Sequence, residues 1–175
     1  MKKKIQASNA RYSARVEDLL NQLAPLGDDL LNKKPADGGW SAMQTLHHLI
    51  LVEENSLAYI HKKLSFYPIL EKSGFKSALR GLLLQISLRS PFKFKAPKAA
   101  AAERIPDTAL FVDTRARWEL IRQEWTVFLD SMPEELTEKA VFNHPLAGRL
   151  SWIHTLGFMA EHFERHRGQV LRAVS

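Results

Sequence analysis

The chain has 175 residues, no cysteine, and 25 basic against 19 acidic side chains, a net charge of +6 with the histidines neutral. That length suits a single domain with its own core. The missing thiols exclude disulfides, cysteine nucleophiles and thiolate metal sites, so a metal would have to be held by histidine and oxygen ligands. No run reaches the roughly 18 apolar residues of a membrane span, and polar residues follow the basic start where a signal peptide needs an apolar stretch, so a cytoplasmic protein is expected.

Residues 5–23 carry Ile5, Tyr12, Val16, Leu19, Leu20 and Leu23 at helical spacing. The segment from Leu26 to Leu31 leads into a turn, and Pro35-Ala36-Asp37-Gly38-Gly39 is a strong break. A second helix opens at Trp40-Ser41, where Ser41 and Gln44 have the spacing of a capping box, and runs to about Leu64. Its main stripe is Met43, Leu46, Ile50, Leu57, Ile60 and Leu64. Leu51, Val52 and Tyr59 make a second apolar face, as in a helix packed on two sides. His48 lies on that second face with Gln44 and Asn55 and is expected to point inward, whereas His47 falls about 100° away.

Residues 65–106 differ in character. Between 62 and 104 there are ten basic residues and two acids, a local charge of +8 that exceeds the net charge of the chain and leaves −2 for the remainder. A short helix is expected from Ser77 to Leu88. Pro91 and Pro97 exclude a continuous helix beyond it, and the run Leu82-Leu83-Leu84 favours burial. The segment is read as a long basic insert between two bundle helices.

A regular helix follows from Asp107 to about Ser131, with Phe111, Thr114, Trp118, Ile121, Trp125 and Phe128 in steps of three and four. Residues 137–149 are expected to form a loop containing His144, and a last helix to run from about Ser151 to Ala173. No period-2 pattern marks a strand. The fold class is therefore all-α, an up-down-type four-helix bundle over residues 1–175 with the basic insert inside it.

On the last helix His162 and His166 stand four residues apart, which puts both rings on one face about one turn apart, a spacing that can hold one metal ion. Phe163 occupies the place where a zinc-peptidase motif needs its glutamate, so peptidase chemistry is excluded.

Two places in this pattern resemble the DinB-like superfamily of four-helix bundles, which includes YfiT-type proteins proposed as metal-dependent hydrolases. One is Trp40-Ser41 with His48-Leu49 eight residues on; the other is His162-x-x-x-His166-Arg167-Gly168-Gln169. The order of elements also matches, although the basic insert is longer than that pattern leads one to expect. The resemblance implies a divalent metal held by His48, His162 and His166. Zinc or nickel suits such imidazoles, with manganese and iron as alternatives. It also implies a small-molecule reaction, either transfer of a low-molecular-weight thiol or hydrolysis. Gln44 and Gln169, one turn from the ligands, are candidates to orient a ring or a bound water. Tyr12, Trp118 and Phe158 are candidates to line a substrate pocket.

Other readings stand beside this one. The chain could be a non-catalytic metal-binding or stress-response bundle, or bind nucleic acid through the insert, with Phe92 and Phe94 for stacking. The insert contains no recognised nucleic-acid motif, which counts against the last. The insert also reads as a solvated basic surface with apolar anchors, and a homodimer interface or a lid over the metal would use it too. His47, His61 and His144 read as loop or surface residues, and His154 as a helix-start histidine bonded to backbone.

Overall fold

A computed structural model describes residues 1–89, 104–145 and 147–175. Four long helices form the bundle: α1 (Lys2–Leu23), α3 (Ala42–Ser65), α5 (Phe111–Ser131) and α6 (Trp152–Ala173). A short helix α2 (Asp28–Asn32) and an additional helix α4 (Phe75–Arg89) complete the helical set. Both α1 and α3 pack against α5 and α6, so the first two long helices of the chain face one another across the core rather than lying side by side. The core is large and aromatic, with Trp118, Trp125 and Trp152 sealed among Ile5, Leu19, Leu46, Leu156 and Phe163.

The helix starts show how local sequence and tertiary structure share the work. Ser41 caps α3 as its sequence implies: its Oγ accepts the Gln44 N–H at 3.1 Å while Gln44 Oε1 accepts the Ser41 N–H at 3.2 Å. Ser151 caps α6 by accepting the His154 N–H. The start of α5 lies at Phe111, later than the expected Asp107, because its cap comes from elsewhere in the chain. Asp28 Oδ1 accepts the Phe111 N–H at 2.8 Å, and Asn32 brackets Ala109 through both its N–H and its C=O. The same contacts tie down the short helix at residues 28–32, which lies just ahead of the expected turn.

The 137–149 loop contains a small antiparallel hairpin, β1 (Phe142–His144) paired with β2 (Gly148–Leu150), in a register that sets His144 opposite Gly148. Three residues per strand are too few to show alternation, so the all-helical expectation missed it. Gly148 has φ +70°, a conformation natural to glycine.

Helix α4 matches the short helix expected at Ser77–Leu88 and runs alongside the first half of α6. Ser77 Oγ accepts the Ser151 N–H at 3.1 Å. Gly81 lies so close to His154 that a methyl group there would collide with the imidazole, and Gln85 covers Gly157 in the same way. Of the three leucines expected to seek burial, only Leu84 is buried, whereas Leu82 and Leu83 are exposed. The extended reading of Pro91–Pro97 and the stacking roles of Phe92 and Phe94 lie outside the described residues.

Candidate metal centre

Because α3 and α6 are neighbours, His48 on one meets His162 and His166 on the other. The ring centroids are 5.2 Å apart for His48–His162, 4.8 Å for His48–His166 and 4.6 Å for His162–His166. One nitrogen from each ring lies within 4.8 Å of the other two. Nε2 of His48 is 3.3 Å from Nε2 of His162. Two nitrogens on one tetrahedral zinc, each about 2.05 Å from the ion, would stand about 3.3 Å apart, so this pair already has the spacing of a shared ligand set.

The surroundings fix the rings in the form a metal needs. Gln169 Oε1 accepts the Nδ1–H of His166 at 3.0 Å, which leaves Nε2 of that ring with its lone pair. Phe158, one turn before His162, stacks on the His162 ring at 5.6 Å, and Trp40 leans on His48 at 5.1 Å. Burial pushes the His48 pKa down to about 4, with the neighbouring His166 adding to the effect. Burial also holds His162 well below the ordinary histidine range, reinforced by His166, His48 and His144. His166 is lowered by burial, partly opposed by its bond to Gln169. All three are neutral at pH 7, the protonation state that donates a lone pair. Among the described residues no carboxylate joins the cluster.

The remaining expected residues divide. Gln169 is where its spacing placed it. Gln44 uses its side-chain oxygen in the α3 cap and does not orient a ligand. Tyr12 and Trp118 do not line a pocket. Both are sealed in the core and donate to Glu53 Oε1, at 2.6 Å and 2.8 Å, and Glu53 is in turn paired with Arg122 at 2.6 Å. Burial and the adjacent Glu53 carboxylate push the Tyr12 phenol well above its usual pKa, so it remains a donor. Their spacing could not tell a core stripe from a pocket wall, because both face inward. Phe158 stands against the His162 ring.

Three other histidines depart from their sequence reading. His47 is buried, with Nε2 3.1 Å from Thr114 Oγ1 and Arg117 beside its other nitrogen. His154 bonds the Ser151 hydroxyl at 2.7 Å rather than backbone. His144 is buried, not on the surface: the hairpin folds it onto Phe158 at 4.5 Å, and its charge is felt at His162. Its Nδ1 accepts the Ala147 N–H at 3.2 Å, so Nε2 carries the proton and the ring is a donor. Burial lowers its pKa to about 4. Nothing periodic in 137–149 announces this placement. His61 is exposed, as expected, and packs edge-on against Phe128.

The chain is similar to known proteins over most of its length. A family model described as the DinB superfamily matches residues 11–170. A Bacillus cereus (strain 03BB102) protein, named as a metal-dependent hydrolase candidate, is 28% identical over 161 residues, covering 89% of this chain and 79% of its own. A Bacillus mycoides (strain KBAB4) protein with a similar name is 26% identical over 166 residues, covering 91% and 82%. Among solved structures, YfiT from Bacillus subtilis, described as having an unusual four-helix bundle topology, superposes with a TM-score of 0.58 at 19% identity, over 98% of this chain and 85% of that one, a likeness of fold. The chain belongs to the DinB superfamily.

Proposed function

We propose that His48, His162 and His166 hold one divalent metal ion, zinc or nickel by ligand preference, and that the protein is an enzyme joining a low-molecular-weight thiol to an electrophile. The observation that carries this is the convergence of three neutral imidazoles, one buried and two half-buried, without a carboxylate in the cluster among the described residues. Three protein ligands leave coordination open for a substrate atom, as in catalytic rather than structural sites. The ion would supply Lewis acidity, enough to bring a thiol of ordinary pKa about 8.5 to its nucleophilic form at neutral pH. Thiol transfer then asks little proton chemistry of the protein, which suits a site whose nearby carboxylates are engaged elsewhere. Glu53 is tied to Tyr12, Trp118 and Arg122, and Glu164 accepts from Arg15. Phe158 and Trp40 wall the ligand rings, and Gln169 holds the orientation of His166.

Hydrolysis is the second reading, favoured by the names of the Bacillus relatives. It asks for a deprotonated water, which the same ion would supply by lowering the pKa of a bound water, while His144, whose Nε2 carries the proton, is set to donate rather than to act as a base. The two readings separate on cobalt-loaded protein. Thiol transfer expects a simple thiol to add a sulfur-to-cobalt absorption band that the His162→Ala protein lacks. If thiols leave the spectrum unchanged while activated esters are cleaved in a His162-dependent way, hydrolysis replaces it.

A further inference from the structure

Helix α4 is built with its apolar face outward. The side against α6 carries small or narrow contacts, Ser77, Gly81 and Gln85, with Leu84 as its buried anchor. The opposite side carries Leu79, Leu82, Leu83 and Ile86, spaced i, i+3, i+4 and i+7, with relative exposures of 45, 52, 57 and 56%. An amphipathic helix in a globular protein ordinarily turns such a stripe toward the core. The chain just before it adds Tyr67 and Ile69, which are almost fully exposed. From residue 67 to 89 the sequence contains four basic residues, Lys72, Lys76, Arg80 and Arg89, and one acid, Glu71, which is paired with Arg149 at 2.8 Å.

We infer that the outer face of α4 docks on an anionic lipid surface, with the Leu79–Ile86 stripe entering the headgroup boundary and the exposed Lys72 and Arg80 meeting lipid phosphates. Aliphatic side chains bordered by lysine and arginine fit an interfacial helix. A second copy of this chain fits poorly, because a symmetric contact would oppose two net-basic segments. Nucleic acid would use the cations and has Tyr67 to stack on, but it gains nothing from the four aliphatic side chains that make up the exposed face of the helix. The contact is peripheral: among the described residues no helix is long and apolar enough to cross a membrane.

The test is co-sedimentation of the full chain with vesicles of phosphatidylglycerol in phosphatidylcholine, against vesicles of phosphatidylcholine alone. The anionic vesicles should bind the protein at least ~10-fold more strongly. Leu82→Gln with Leu83→Gln should weaken that binding by ~10-fold or more, and Arg80→Gln by ~5-fold. Both variants change exposed side chains, and an unchanged circular dichroism spectrum checks that each is folded. The inference is overturned if neither vesicle binds, or if the leucine variant binds as well as the parent. It is also overturned if the parent forms a dimer that the leucine variant abolishes, or if it prefers single-stranded oligonucleotides to anionic vesicles.

Discussion

Replacing Arg122 with methionine probes the frame on which the candidate metal centre stands. The Arg122 guanidinium lies inside the bundle, donating to Glu53 Oε2 at 2.6 Å, to Ser13 Oγ and to Asn9 Oδ1, and stacks over the Tyr12 ring at 4.5 Å. Glu53 is 1% exposed and five residues beyond His48 on α3. Its other oxygen receives Tyr12 from α1 and Trp118 from α5, so one carboxylate joins three helices. Methionine fills part of the same volume but leaves Glu53 without its cation. Removing one partner of a buried pair costs about 3–5 kcal/mol, a large share of the roughly 5–15 kcal/mol that holds a domain together. Adding Glu53→Gln to Arg122→Met removes the stranded charge while keeping an acceptor for Tyr12 and Trp118. The double variant should therefore be more stable than Arg122→Met alone by about 2 kcal/mol or more. Urea unfolding followed by far-UV circular dichroism measures both. A loss under about 1 kcal/mol for Arg122→Met, or a double variant as unstable as the summed single changes, would refute the idea that this pair locks the bundle.

Stability of the metal-free protein should fall with acid. His48 and His144 have folded pKa values of about 4 against 6.5 in the unfolded chain, so the unfolded state takes up protons first. Their contribution is complete above pH 6.5 and is lost as pH falls from 6.5 to 4, by about 3 kcal/mol for each; urea midpoints measured across that range should drop, and a flat profile contradicts the burial argument. Gln169→Leu should leave helicity intact but weaken metal affinity about 10–100-fold in a competition titration, because it removes the acceptor that orients His166. Gly81→Ala should force the His154 ring aside, cost about 1–3 kcal/mol and speed hydrogen exchange in α4 ahead of the bundle core.

The parts that could be read from sequence are those whose signal is local. Ser41 and Gln44 announce the start of α3 because both halves of the cap lie within one turn. His162 and His166 announce a shared face for the same reason. His48, 114 residues away from His162, could be joined to them only through the family resemblance. Features decided by distant contacts were not legible. The α5 start waits on Asp28, and His144 reaches Phe158 only because a three-residue hairpin turns it there. Tyr12 and Trp118 were placed on the right faces but given the wrong surroundings, since periodicity reports that a side chain points inward and not what it meets. Helix α4 reversed the usual logic, burying glycine and exposing leucine, which no hydrophobic pattern alone foretells.

On the proposed reading, His48, His162 and His166 from two helices form one metal site. Metal analysis of protein purified without an affinity tag tests it most directly, on the parent chain and on His48→Ala, His162→Ala and His166→Ala. About one divalent ion per chain is expected for the parent, with a sharp loss in every variant while helicity is retained. A parent that neither carries a divalent ion nor takes one up when offered, or variants that keep it, would contradict the claim.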